Sequence, residues 1–242
     1  MAFIHGKGAA IVHGANALTS FLNDGSISQD IETAETTVFG AAGGAKTYIV
    51  GLRDATLSAS GMFDGAANAV DEVLQASIGS DTLAPVLFAQ SGITAGDRCY
   101  ILQAKTTSYE VSAPVGDVVS VSYDAQADGG TDDAILLTAL AAITATGNGS
   151  SQDNSASTSN GGVAQLHVTA NSMNNNTVFK VQHSADNSTF ADLATFTTVA
   201  TTVKTSERVT VATGTTVNRY LRAQYTASGT GSITFTMAFA RR

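Results

Sequence analysis

Gly40 to Thr47, GAAGGAKT, carries the glycines and the lysine of a loop that could cradle a phosphate, with backbone N–H groups around the anion and Lys46 reaching it. Two positions argue against that chemistry. Ala45 stands where the motif needs the glycine before lysine, and Tyr48-Ile49-Val50 follows as a strand-like run where a helix N-terminus is required. The stretch therefore reads as the flexible tip of an arm. Asp124, Gln126, Asp128 and Gly129 fall at the spacing of a calcium loop, but Ile135 occupies the position of the closing bidentate glutamate, so DAQADGGTDD reads as an acidic turn. His5, His13, His167 and His183 show neither H-x-H nor H-x-x-x-H spacing, and His167 and His183 fall on strands as partly buried surface residues. Cys99 is the single cysteine, so no intrachain disulfide can form, and its place in the run CYIL marks a small buried side chain. With no G-x-S-x-G elbow and no Cys/His pairing motif, the chain reads as a non-enzyme that calls for no cofactor and no metal.

The composition agrees with a structural role. The chain has 242 residues, enough for one large or two ordinary domains, and the reading is two. With 23 Gly, 2 Pro, no Trp and an abundance of Ala, Ser and Thr, it is the composition of an all-β, turn-rich protein. A net charge of −8 with only 12 Lys and Arg argues against wrapping nucleic acid, because neutralising phosphates needs clustered cations. No secretory core and no run of about 18 apolar residues occurs, so the expectation is a soluble protein, cytosolic when made, with no membrane partner.

The elements that would position any surface of interest begin with Ile27 to Gly65, two alternating segments around a Gly- and Ala-rich excursion. Ser28, Asp30 and Glu32 oppose Ile27, Gln29 and Ile31 on the first, and Thr56, Ser58, Ser60 and Met62 oppose Leu57, Ala59 and Phe63 on the second. The excursion between them, residues 36–53, is too long for a tight hairpin and too apolar for an ordinary loop. Val38, Phe39, Tyr48, Ile49 and Leu52, together with Lys46 and Arg53, make it a β-arm that reaches a neighbouring subunit, most simply another copy of the chain.

The order ETTVFG, then AKTYIVGLRDATLSASGMFDG, then a short helical pattern, resembles the major tail (tail tube) proteins of long-tailed, siphovirus-type bacteriophages over the first half of the chain. The resemblance implies a tail-tube-type β-sandwich or barrel in hexameric rings that stack into a tube conducting DNA without binding it specifically. It also implies tape measure and tail terminator or tip proteins as partners, and a place in the virion tail after synthesis in the host bacterial cytoplasm.

Downstream, Asn68 caps a predicted helix at 68–78, with Val70, Val73, Leu74 and Ile78 at helical spacing and Gly79 as its stop. Strands follow at 85–90, 97–105, 106–112 and 118–126. On the last two, Ser108, Glu110, Ser120, Ser122 and Asp124 again line a polar face. Residues 135–143 read as either a buried strand or a short helix. Residues 146–162 carry nothing apolar larger than alanine and read as a linker or long surface loop. Six strands at 163–170, 178–184, 193–199, 207–212, 219–227 and 233–240 then predict a smaller C-terminal β-sandwich.

The expected fold is thus all-β with one short helix. Residues 1–145 form a tail-tube-type β domain with its arm, and residues 163–242 form a decoration domain. Asp30, Glu32, Glu110 and Asp124 are expected to face the lumen of the ring, the alternative being that this face turns outward to solvent. The alternative is a virion-surface or secreted β-sandwich for glycan binding or adhesion, against which the lack of tryptophan counts.

Overall fold

The computed structural model describes residues 6–38 and 44–242. A single 3-10 turn at Gly6–Gly8 leads into β1 (Ala10–His13) and β2 (Asn16–Ala17). The long strands β3 (Leu22–Glu35) and β4 (Tyr48–Met62) form the arm hairpin, and helix α1 (Val70–Ser77) precedes β5 (Ala84–Ala89), β6 (Arg98–Ser112) and β7 (Ser120–Leu136). The short strands β8 (Ala141–Ile143), β9 (Gly147–Asn148) and β10 (Gln152–Asp153) lead to β11 (Gly162–Asn171), β12 (Thr177–Ser184) and β13 (Ala191–Thr195). The chain ends with β14 (Thr205–Val211), β15 (Tyr220–Ala227) and β16 (Ile233–Arg241). The fold is all-β with one short helix.

Among the described residues the strands form two sheets. An eleven-stranded sheet follows the path β14-β11-β16-β7-β6-β5-β1-β2, with β4 and then β3 branching from β7 and β8 added to β16. The second sheet runs β10-β15-β12-β13, with β9 on β15. β7 makes the branch possible. Its first part pairs with β4 from Ser120 to Gln126, and its last part, Ile135 and Leu136, pairs with β16. Between them Leu102 faces Thr131 but Ala104 faces Ala127, so Asp128, Gly129 and Gly130 bulge out opposite Gln103. Gly129 and Gly130 have φ of +85° and +80°, where a side chain is strained. The segment DAQADGGTDD is therefore a bulge inside a strand, not the expected acidic turn.

Three apolar clusters follow from this path. One lies under the arm's base and α1, with Leu57, Tyr123, Leu102, Val70 and Leu74 among its members. A second draws on six strands and mixes small residues, Ala10, Ala89, Cys99, Ala134, Ala238 and Ala240, with Leu87, Ile101 and Leu136. The third fills the space between the two sheets. Phe235, Met237 and Phe239 of β16 and Leu166 of β11 meet Phe179 and Val181 of β12 and Leu221 of β15 there. β16 is buried on both faces, with its large residues on one side and Ala238 and Ala240 on the other.

Several expectations are corrected. Residues 146–162 are not a bare linker: β9 and β10 pair with β15, and Thr158 bridges Val217. Strands from 1–145 and from 163–242 share one sheet through β7 and β16, so the chain is not cut into two separately cored halves at that segment. The strands expected at 97–105 and 106–112 are one continuous β6. Asn68 does not cap the helix. Its φ is +61°, Ala69 holds the N-cap position without a side-chain bond, and the Asn68 N–H instead donates to the Glu72 carboxylate. Residues 135–143 resolve into the end of β7, a turn and β8.

Candidate functional site

The polar face is assembled by register. β3, β4, β7 and β6 lie side by side, and Ser26, Ser58, Asp124 and Ser108 form one row across them. Asp24, Ser60, Ser122 and Glu110 form the next, and Ser28, Thr56 and Gln126 a third. The opposite side chains of the same strands, Leu57, Ala59, Val121 and Tyr123, are buried, as alternation requires. Asp30, Glu110 and Asp124 therefore share one face. Glu32 lies farther out on β3, at the register shift between Ile31 and Thr33.

The face is tied together by side chains. Ser108 Oγ donates to Asp124 Oδ2 at 2.7 Å, and hydrogen bonds from Ser58 and Ser108 hold the Asp124 carboxyl below its ordinary value. Thr56 Oγ1 donates to Gln126 Oε1 at 3.1 Å, and Gln126 Nε2 donates to the Ala55 carbonyl at 3.0 Å and to the Asp54 carboxylate. Asp54 sits directly across from Asp30. Sequence reasoning missed Asp54 because it lay between the arm, which ended at Arg53, and the alternating run named from Thr56, although its period-two relation to Thr56 and Ser58 was there to be read.

The arm extends this sheet outward. Val38, Tyr48, Ile49, Val50 and Leu52 are exposed, as is Ile31 on β3. Leu52 is 76% and Val50 73% exposed, values ordinarily found for polar side chains. Lys46 Nζ lies 2.9 Å from Glu35 Oε2, and this hydrogen bond, with one from Thr37, lowers the Glu35 pKa. The Thr36 N–H donates to the Thr47 carbonyl at 2.8 Å, closing the described end of the hairpin. Arg53 stands opposite Ile31. Phe39 and residues 40–43 of the phosphate-loop candidate lie outside the described residues, and Lys46 and Thr47 lead into a strand.

The remaining candidates are structural. His167 is fully buried, not a partly buried surface residue, because β11 is covered on both faces; His183 is half-buried and its Nδ1 accepts the Asn218 N–H at 3.2 Å. His5 lies outside the described residues. Burial pushes the Cys99 thiol up to about 12. Among the described residues no group of three His, Cys, Asp or Glu could hold a metal, and no helix is long and apolar enough to cross a membrane.

Neither a family model nor a curated protein matches the chain. Solved structures give distant, partial likenesses. The virion of a native gene transfer agent particle matches with a TM-score of 0.45 and 17% identity, over 54% of this chain and 98% of that one. The tail of an empty gene transfer agent particle matches at 0.44 and 19%, over 53% and 97%. The SPP1 Dit protein, described as a hub adsorption apparatus of phages infecting Gram-positive bacteria, matches at 0.37 and 14%, over 96% and 98%.

Proposed function

We propose that this chain is a structural subunit of a bacteriophage tail tube. In this reading, copies join side by side into stacked rings, most simply hexameric as the sequence resemblance implies, and DNA passes through the centre during ejection. The observation that carries the reading is the four-stranded sheet of β3, β4, β7 and β6. One of its faces is small, polar and acidic, the other is apolar and buried along β4 and β7, and the outer edge of β3 has no strand partner among the described residues. A long unpaired edge is a template for pairing with another chain. A ring closed through such edges must turn one sheet face inward. With Asp30, Glu32, Glu110 and Asp124 inward, joined by Asp54, the wall repels phosphates, and a confined channel magnifies the effect of sparse charges.

The arm, with Val38, Phe39, Lys46, Tyr48, Ile49, Leu52 and Arg53, is assigned to contacts with a neighbouring subunit, and the second sheet to the outside of the tube. Tape measure and terminator or tip proteins are the further partners, and the virion tail is the location. The glycan-binding alternative draws no support from the second sheet. Phe190 has one ring face taken by the Arg222 guanidinium at 3.8 Å, and the Arg219 guanidinium lies 5.0 Å from the Tyr220 ring.

The test is a virion built from the triple variant Asp30→Lys, Glu32→Lys and Glu110→Lys. The three residues are exposed, so rings are expected to form as in wild type. DNA ejection is expected to slow or stop. Ejection at the normal rate would remove the lumen assignment, and failure of the wild-type protein to form rings or tubes at high concentration in electron micrographs would remove the tube reading.

A further inference from the structure

β11 meets β5 and the turn between β1 and β2 through side chains rather than a backbone ladder. Gln165 Nε2 donates to the Val86 carbonyl at 2.9 Å, and His167 Nδ1 lies 2.7 Å from the Gly14 carbonyl. A carbonyl can only accept, so Nδ1 carries the proton and Nε2 of the neutral ring accepts from Gln165 Nε2 at 2.8 Å. The amide cannot turn over to offer its oxygen. Arg208 Nη1 donates to Gln165 Oε1 at 3.2 Å, and Arg208 is itself held by Asp132 of β7. Every partner of the His167 ring thus requires one neutral tautomer.

His13 on β1 lies beside this junction. It is 3% exposed and His167 is 0% exposed. Neither His13 ring nitrogen nor the Tyr123 hydroxyl has a hydrogen-bond partner, and the His13 and Tyr123 rings meet edge-on at 5.9 Å. Burial lowers His13 to about 4. It also lowers His167 to about 4, opposed by the bond to Gly14 and reinforced by His13. The other ionisable groups around the pair are Tyr123 and Asp132 on β7, Arg208 on β14, Lys204 just before β14, and Glu72 on α1. Asp132 is engaged by Arg208, Glu72 by the Asn68 N–H, and Lys204 by Asn16 and Asn68, so none of these carboxylates reaches either imidazole.

We propose that His167 is an acid-operated latch: a proton on its Nε2 sets two donors against each other at Gln165, so that in mild acid β11 and β14 part from β1 and β5 while every hydrogen-bonded strand pair of the sheet that carries them stays intact. The direction follows from linkage. Both imidazoles are held neutral below their ordinary value, so the unfolded or opened form binds more protons, and the seam weakens as pH falls from about 6.5 toward 4 and recovers as it rises.

Cys99 reports on this seam, because it is fully buried in the same cluster as Ala10, Val12 and Val163. The experiment follows its reaction with a dipyridyl disulfide, in which the sulfur attacks the probe and releases pyridinethione, at a rate normalised to free cysteine at each pH. For the full chain the normalised rate is expected to rise at least ~10-fold between about pH 7 and pH 4.5 with unchanged far-UV circular dichroism. His167→Gln should flatten the profile, and His13→Phe should keep the step. A flat wild-type profile, a step that survives in H167Q, or one lost only in H13F would overturn the assignment, as would collapse of the far-UV signal together with the labelling step. Should H167Q not fold, ring nitrogen NMR of the wild type decides. The His167 Nδ1–H tautomer at neutral pH and a titration midpoint coincident with the labelling step are expected, and any other tautomer or midpoint sinks the latch.

Discussion

Asp30 and Asp54 are register partners across β3 and β4, two carboxylates placed directly opposite each other. Like charges in such a pair repel at a cost of about 0.2–1 kcal/mol, and the Gln126 amide that approaches Asp54 relieves only one of them. A pairing that costs stability suits a face whose negative potential matters more than its own cohesion. Asp30→Ser is therefore expected to raise the unfolding free energy by up to about 1 kcal/mol, read from the urea midpoint, with the slope unchanged. A lower midpoint would show that Asp30 makes a stabilising contact instead.

Val50 and Leu52 are exposed large apolar residues in a paired strand, so their side chains contribute little to the fold of one chain. Val50→Glu with Leu52→Glu should change stability by no more than about 0.5 kcal/mol. Assembly should fail, because a charge buried without a partner at an interface is costly. Thermal melting and sedimentation velocity separate the two effects. Tubes formed by the double variant would mean that the arm faces solvent.

Residues 1–145 alone should not reach a cooperative fold. Without β11 and β16, the cluster holding Cys99, Ile101, Ala134 and Leu136 loses Val163, Ala238 and Ala240 on its other side, and β7 loses β16 as its partner at Ile135 and Leu136. The truncated chain is expected to show a broad melt and to aggregate through that exposed edge. A sharp melting transition in this fragment would restore an independent first domain.

Phe179 and Phe235 meet at a ring-centroid distance of 4.6 Å between the two sheets, both essentially buried. Phe235→Ala removes this contact and the Tyr225 contact at 5.3 Å, and leaves a cavity that neither sheet can close. A loss of about 3–5 kcal/mol is expected by chemical denaturation. A loss under about 1 kcal/mol would mean that the sheets slide together to fill the space.

Side-chain alternation along single strands was legible before any coordinates. Ser58 and Ser60 oppose Leu57 and Ala59, and Phe235, Met237 and Phe239 share a face, because a strand alternates whatever lies beside it. The six C-terminal strands and the narrow apolar stripe of α1 were legible for the same local reason. Which strands became neighbours was not. The pairing of β7 with β16, which joins the two halves in one sheet, rests on contacts about 100 residues apart that no local pattern encodes. The Gly129-Gly130 bulge read as a turn because local conformation does not reveal that the strand resumes beyond it. His167 looked like a surface residue because its burial depends on β14 and β16 flanking β11 and on Gly14 arriving from the far end of the chain. Asp54 became the counterpart of Asp30 only when the hairpin register placed them together. Polarity by position was a property of the sequence; adjacency, and with it the charge of the face and the protonation state of the seam, was decided by tertiary packing.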